Sequence, residues 1–303
     1  MKNILVVGSL NMDFVINTDT MPKPGETIFG KDFSLVPGGK GANQAYAIAK
    51  LGGKVAMIGG IGTDAYGEML INNLNSVGVS TEFVKRMSET DTGRAFITVD
   101  KTGENSIVVI RGANYLLDTA WLDTNEHLFD ECDAVVIQLE IPLKVVDYAA
   151  KLAKKKGKIV ILDPAPATVK IMADTCLENV DIIKPNETEL EVLTGMPVNT
   201  QENIKIAAQK LINKGVGTVI VTMGEKGSLL VQKNYAKHFP AKKVKAVDTT
   251  AAGDCFTAAV ALMLDKDNYD EAIRFAAKAS ALTVTRKGAQ SSIPNKKEID
   301  EMK

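Results

Sequence analysis

The sequence predicts an α/β protein in which a mostly parallel sheet is covered by helices on both faces. Three observations carry the prediction. Short β-branched runs alternate with segments of helical periodicity along most of the chain. The runs are continuously apolar rather than alternating, as strands buried on both faces are. Most helical segments end in glycine, at Gly52, Gly78, Gly157, Gly195 and Gly215, the residue best suited to the left-handed turn that follows a last helical carbonyl.

In order, Lys2–Val7 opens the chain as a strand and Gly41–Leu51 follows as a helix. Val55–Ile58 is the next buried strand, and Asp64–Ser76 then repeats apolar residues at helical spacing. Ala134–Ile137, Lys158–Leu162, Val180–Ile183 and Thr218–Val221 continue the strands, with Leu143–Lys156, Glu187–Thr194 and Gln201–Asn213 as helices between them. Gly253–Leu264 and Tyr269–Thr285 finish the series as Ala-rich helices able to pack closely. Two regions break the rhythm. Asp13–Val36 and Gly93–Ile110 show alternation and turns, with Asp100–Gly103 suited to a hairpin connection, and are assigned to a small β subdomain projecting from the sheet.

Composition narrows the function classes. The 303 residues are 45% hydrophobic and 24% charged, the mixture of a soluble chain with a sizeable core. Lys+Arg 36 against Asp+Glu 37 leave a net charge of -1, which argues against general nucleic-acid binding and against a basic membrane surface. No run approaches the roughly 18 apolar residues of a membrane span. The opening segment is too short for a signal peptide, so the expected address is the cytoplasm. Cys132, Cys176 and Cys255 lie far apart, which supports neither a disulfide framework nor a Cys-x-x-Cys site. With only His127 and His238 present, proton transfer falls to carboxylates or lysines.

Two glycine-rich segments invite phosphate readings and fail them. Gly60-Ile-Gly62-Thr-Asp-Ala65 fits the G-x-G-x-x-A dinucleotide pattern, with Glu82 near the acidic offset. The match is short, and Asp64 would set a negative charge beside any pyrophosphate, so tight-turn packing is preferred. Gly38-Gly-Lys-Gly-Ala-Asn43 lacks the Ser or Thr that a P-loop needs after its lysine, since Gly41 follows Lys40. Its glycines, Lys40 and Asn43 suit a hinge that brings polar groups close to a hydroxylated ligand.

The sharpest segment is Val247-Asp-Thr-Thr-Ala-Ala-Gly-Asp254, which runs straight into a helix. Small residues let the N–H groups of Ala251, Ala252 and Gly253 converge at the helix N-terminus, where they stabilise negative charge. Asp254 beside them is either a base for a substrate hydroxyl or a helix-capping carboxylate, and spacing leaves both readings open.

Further segments join these two: Gly8-Ser-Leu-Asn-Met-Asp13, Gln138-Leu-Glu140, Lys184-Pro-Asn-Glu-Thr-Glu189, Thr222-Met-Gly-Glu-Lys-Gly227 and Thr285-Arg-Lys-Gly-Ala-Gln290. In this order, and over nearly the whole chain, the set resembles the PfkB carbohydrate-kinase family. The resemblance implies a single domain over 1–303, a three-layer α/β/α sandwich with a small β-sheet lid formed by about 13–36 and 93–110. It implies ATP-dependent phosphorylation of D-ribose at the 5-hydroxyl, with Asp254 as general base and the amides of Ala251, Ala252 and Gly253 as anion hole.

Substrate contacts then fall on Asn11, Met12, Asp13, Gly39, Lys40, Gly41, Ala42, Asn43 and Glu140, together with Asp254. ATP contacts fall on Asn186, Thr222, Met223, Gly224, Glu225, Lys226 and Gly227, together with Gly253 and Asp254. Asn186 and Glu189 would organise Mg²⁺, through water. Asp248, Thr250, Thr283, Arg286, Gly288 and Ser292 would form an activating K⁺ site, largely through backbone carbonyls. A homodimer joined through the β lids is implied as well. The alternatives are another sugar of the family, deoxyribose or fructose, or a nucleoside, for which only Phe14, Phe33 and Tyr46 lie near as stacking surfaces. A non-catalytic sensor on this fold is expected to lose the base or the anion-hole glycine, and both Asp254 and Gly253 are present.

Overall fold

Successive residues of each central strand are buried on opposite faces, which is why the runs read as continuously apolar. Ile4 and Val6 of the first strand belong to one core, and Leu5 and Val7 to the other. The computed structural model describes residues 2–174, 177–265 and 268–302; Cys176 lies outside them.

In chain order the strands are β1 (Asn3–Val7), β2 (Asn11–Asn17), β3 (Asp32–Gly38), β4 (Lys54–Gly62), β5 (Val84–Met87), β6 (Gly93–Val99) and β7 (Asn105–Ile110). They continue as β8 (Ala134–Gln138), β9 (Ile159–Asp163), β10 (Ile182–Ile183), β11 (Thr218–Thr222), β12 (Ser228–Gln232) and β13 (Tyr235–Phe239). The longer helices are α1 (Lys40–Lys50), α2 (Ala65–Asn75), α3 (Leu143–Lys155), α4 (Glu187–Thr194), α5 (Gln201–Ile212), α6 (Ala252–Met263) and α7 (Tyr269–Thr283).

Nine strands form one sheet in the order β13-β12-β11-β10-β9-β8-β1-β4-β5. It is parallel from β11 to β5, with β12 and β13 added antiparallel at one edge. Helices α1, α2, α6 and α7 cover one face and α3, α4 and α5 the other, giving the expected three layers. No described helix is long and apolar enough to cross a membrane.

The two arrhythmic regions form a separate four-stranded sheet, β3-β2-β6-β7. Strand β2 pairs with β6 in parallel, and the outer pairs are antiparallel. The turn between β6 and β7 closes by a bond from the Gly103 N–H to the Asp100 carbonyl at 2.9 Å, with Gly103 at φ 87°. Sequence periodicity misses β5, β12 and β13. Strands β5 and β13 lie at the sheet edges and carry charged side chains among few apolar ones, so neither reads as a buried run. Only two residues of the expected strand Val180–Ile183 pair as β10.

The chain leaves β1 into the second sheet, returns beside it as β4, and reaches its other side only later as β8. The crevice at the carboxyl ends of strands around such a reversal is where open α/β sheets bind ligands. The dinucleotide-like segment belongs to a packing turn, as the sequence suggests. A Cβ on Gly62 would come within 2.6 Å of both the Thr90 carbonyl and the Thr92 nitrogen. Asp64 caps α2 by accepting from the N–H groups of Tyr66 and Gly67, each at 3.0 Å, and accepts from the Thr92 N–H at 2.7 Å. Asp64→Ala is therefore expected to lower unfolding free energy by about 1–3 kcal/mol, measured by chemical denaturation, while the strand-end crevice on the far side of β1 keeps its ligand affinity.

Candidate active site

The sugar-directed side chains converge at the strand ends because β1 and β2 are joined by only three residues. Along β2, alternation separates Asn11 and Asp13 from Met12, which is fully buried in the core. The Met12 side chain therefore lies in the core. Ala42 is likewise core, and Gly41 is pressed so closely on the preceding loop that a Cβ would lie 2.6 Å from the Ser9 nitrogen. Within residues 39–43 the polar side chains are Lys40 and Asn43.

Each remaining group is held by a named partner. The Asn11 carbonyl oxygen accepts from Asn114 Nδ2 at 2.8 Å, which leaves the Asn11 amide hydrogens for another acceptor. Glu140, just past β8, accepts from the Ser9 hydroxyl and from the Lys40 backbone N–H at 3.0 Å. Gly38 has no room for a side chain, since a Cβ would meet the Asp13 carboxylate at 2.2 Å. Burial, with the charges of Glu140 and Asp254, pushes the Asp13 carboxyl up to about 7. Burial works against the Lys40 ammonium, but Asp254, Asp163, Glu140 and Glu189 outweigh it and hold its pKa above the ordinary lysine value.

Asp254 is not a helix cap. The residue at the cap position is Ala251, and α6 has no side-chain cap. The Asp254 carboxylate instead turns inward, 6% exposed, where one oxygen accepts from Asn43 Nδ2 and the other from Gln44 Nε2, each at 2.9 Å. Burial raises its pKa, Lys40 pulls it back, and the Asp163 charge adds to the rise. Ala251 holds φ 60°, the one described non-glycine residue at positive φ. Such a conformation costs about 1–3 kcal/mol and is found where the surroundings enforce it. Here it opens the turn so that the N–H groups of Gly253 and Asp254 have no backbone acceptor among the described residues, while Ala252 N–H bends back to the Thr249 carbonyl at 3.3 Å. The Ala251 N–H likewise has no backbone acceptor among the described residues, so the amides free to meet an anion span Ala251, Gly253 and Asp254, with Ala252 partly engaged.

Nucleotide-directed residues meet on the other side. Asn186 and Thr222 form a bridge between adjacent strand ends, with Thr222 N–H donating to the Pro185 carbonyl at 3.0 Å. In the loop after β11, Met223 is buried core, Glu225 is exposed, and Lys226 pairs with Glu187 at 3.2 Å. Gly224 and Gly227 carry positive φ; a Cβ on Gly227 would strike the Phe239 carbonyl at 2.0 Å. Asn186 and Glu189 form a capping box on α4. Burial and then Asp163 raise the Glu189 pKa. A carboxylate and an amide oxygen in a partly solvated cleft fit Mg²⁺ held through water.

Of the candidate cation residues, Thr250 and Gly288 bond to Asp248. Its carboxylate accepts from Thr250 N–H at 2.9 Å, the Thr250 hydroxyl at 2.6 Å and Gly288 N–H at 2.9 Å. These bonds outweigh burial and hold its pKa below the usual carboxylate value. The Thr283 and Ser292 hydroxyls donate to the Ala279 and Ala289 carbonyls, and Arg286 pairs with Glu298. Those side chains are committed, so a monovalent cation there would rest on carbonyl oxygens and Asp248, a donor set suited to K⁺.

Sequence reasoning assigns no role to Gln44, Asp163, Lys184 or Thr257. Yet Asp163 Oδ2 accepts from Lys184 Nζ at 3.0 Å, Gln44 Nε2 at 2.9 Å and Thr257 Oγ1 at 3.2 Å, all buried directly beneath Asp254. A signal for Asp163 exists: like Glu140, it ends an apolar strand at the sheet's ligand edge. Gln44 and Thr257 carry none, because on sequence they fall among ordinary helical positions.

An α/β/α sandwich with hydroxyl-binding groups at its strand ends and unengaged amides at a helix head defines a phosphotransferase for a hydroxylated small molecule. Residues 1–296 match the profile of the pfkB family carbohydrate kinases. A ribokinase of Haemophilus influenzae is 44% identical over 298 residues, covering 98% of this chain and 97% of that protein. A deoxyribokinase of Salmonella typhi is 42% identical over 301 residues, covering 99% and 98% respectively. The solved structure of Arabidopsis thaliana ribokinase complexed with ribose and ATP aligns with a TM-score of 0.90 at 37% identity, covering 99% of this chain and 98% of that one. The chain belongs to the pfkB family of carbohydrate kinases and is a ribokinase-like phosphotransferase.

The raised Asp13 pKa makes ionisation costly without a ligand. A carboxyl whose folded pKa of about 7 exceeds its unfolded value favours folding fully below pH 3.8, and that contribution is lost as pH rises toward 7. Asp13→Asn is expected to stabilise the unliganded protein by on the order of 2–4 kcal/mol at pH 8 relative to wild type, with the difference vanishing below about pH 4. Urea unfolding at the two pH values checks this.

Proposed function

We propose that this kinase transfers the γ-phosphoryl group of ATP to the 5-hydroxyl of D-ribose, giving ADP and D-ribose 5-phosphate. The observation that carries the reading is the Asp254 carboxylate at the head of α6, beside amides without acceptors and facing Lys40, Asn43 and Asp13. Its raised pKa suits a proton acceptor better than an ordinary aspartate. As the sugar oxygen bonds to the γ-phosphorus, its proton passes to Asp254 and the bond to the β,γ-bridging oxygen breaks. The Gly253 and Asp254 amides and the α6 dipole meet the charge on the transferring group. Mg²⁺ held near Asn186 and Glu189 would neutralise the nucleotide's phosphates.

Ribose is favoured by polarity. Asn11, Asp13, Asn43 and Glu140 are buried or nearly so, and a site built to bond hydroxyls rejects analogues that leave its groups unpaired. The deoxyribokinase relative, almost as similar as the ribokinase, supports 2-deoxyribose as the second reading. The segments of the four-stranded sheet act as a lid within a single domain over 1–303. That sheet exposes Phe33, Val108 and Ile110 on one face and Ile107 on the other, which supports a homodimer joined through the lids.

Asp254→Asn is expected to lower kcat by about 10²–10⁴-fold with little change in the KM for ribose and in circular dichroism. Coupled ADP release over ribose, 2-deoxyribose and fructose reads both the base and the substrate; a near-normal rate sinks the role of Asp254, and equal use of 2-deoxyribose sinks the preference. In the same assay, replacing K⁺ by tetramethylammonium is expected to slow turnover several-fold without altering fold, because a cation under Asp248 braces the turn that carries the amides. An unchanged rate removes the K⁺ role.

A further inference from the structure

The buried charge pair below the base takes no part in the chemistry as so far described. Asp163 is 2% exposed and Lys184 5%, and they meet at 3.0 Å. One side-chain amide, that of the fully buried Gln44, joins this pair to the base. Its Nε2 lies 2.9 Å from Asp163 Oδ2 and 2.9 Å from Asp254 Oδ1, so its two hydrogens serve two carboxylates. Its carbonyl oxygen accepts from Gln138 Nε2 at 2.7 Å, which fixes the orientation of the amide. Lys184 Nζ also reaches the Gly253 carbonyl at 3.4 Å, and Thr257 Oγ1 lies 3.0 Å from the same oxygen. The pair therefore touches both halves of the reaction centre: the base through Gln44, and the amide-bearing turn through Gly253.

We infer that Asp163, held in place by Lys184, is a positioning residue that orients Asp254 through the Gln44 amide and keeps it basic by its own negative charge. The inference rests on Asp254 as the base. Two carboxylates sharing one amide engage both of its hydrogens, so Asp254 presents a defined oxygen to the sugar side. A lone buried carboxylate would be too costly, and Lys184 offsets it. The charged groups acting on Asp254 are Lys40 from α1, Asp163 from the end of β9 and Asp13 from β2, with Lys184 behind Asp163 and Glu140 and Glu189 around Lys40. Of these, Asp163 is linked to the base by a shared hydrogen-bond donor. Asparagine fits at 163 because Oδ1 of Asp163 has no hydrogen-bond partner among the described residues; an amide nitrogen in its place breaks no bond.

The test is the pH dependence of kcat/KM in the full chain with ribose, MgATP and K⁺. Asp163→Asn is expected to move the acid limb about one unit to lower pH and to lower kcat about tenfold or more, with the KM for ribose within threefold of wild type. Thr257→Val, which removes a neutral bond to the same carboxylate, is expected to lose stability without moving the limb. Should Asp163→Asn not fold, Asp163→Asn/Lys184→Met leaves no lone charge and is expected to shift the limb in the same direction. An unmoved limb with kcat within twofold of wild type overturns the inference. If Asp254→Asn abolishes turnover while the Asp163 variants match wild type, the inference alone fails. If Asp254→Asn is near normal, the base assignment fails first.

Discussion

The structure depends on the concentration of buried carboxylates at one edge of a parallel sheet. Asp13, Glu140, Asp163, Glu189 and Asp254 all act on one another or on Lys40. Removing this much negative charge from water is unfavourable unless cations and hydrogen bonds compensate. Lys184 compensates deep in the protein, by direct contact with Asp163. Lys40 compensates at the cleft, where no carboxylate is paired with it as tightly. Its charge is therefore shared across the cluster, and an arriving phosphate or sugar changes the balance of every member.

That cluster explains the glycines. Carboxylates and the head of α1 can come together only if backbone passes within contact distance of backbone. A Cβ on Gly39 would lie 2.6 Å from the Asn11 nitrogen, and one on Gly93 would lie 2.2 Å from Asn11 Oδ1 and from Asn114 Nδ2. Gly39 also holds φ 86° at the cap position of α1, where a side chain would be strained as well as crowded. The glycine-rich run is thus a close-approach device and not a phosphate cradle. The absence of a hydroxyl residue after Lys40 already pointed that way.

The central strands and the larger helices were legible because their burial is two-sided or strongly periodic. Leu143–Lys156 and Gln201–Asn213 read as helices and differ from α3 and α5 only at their ends. The short edge strands were not legible, since β13 has too few apolar residues to show a pattern. In the site, polar residues set beside special turns stood out on sequence: Lys40, Asn43 and Asp254. The residues that hold them did not. Gln44 is one ordinary-looking polar residue on an otherwise apolar helical face; only the fold places it between Asp163 and Asp254. Met12 and Ala42, which the family resemblance places among the substrate contacts, have side chains set in the core. Strand alternation at Met12 and the helical face at Ala42 turn them there, a placement that motif matching alone does not show.

Unfavourable local geometry collects at this same edge. Ala251 is left-handed without being glycine, and Gln138 Oε1 and Asp163 Oδ1 are buried acceptors without partners among the described residues. Each feature costs on the order of 1–3 kcal/mol, and each adjoins a group aimed at the cleft. Under the proposed reaction the base must be deprotonated when the sugar binds, and the anion hole must leave donors unsatisfied until charge arrives. Neither condition is compatible with the lowest-energy arrangement of the empty site. The apolar layers on both sides of the sheet supply the stability that holds these groups in place, with their largest side chains on β1, β4 and α1 fully or nearly fully buried. The position of the site at the point of strand reversal follows from the same requirement: there, the rigid ends of β1, β8 and β9 and the heads of α1 and α6 all bear on a single small volume.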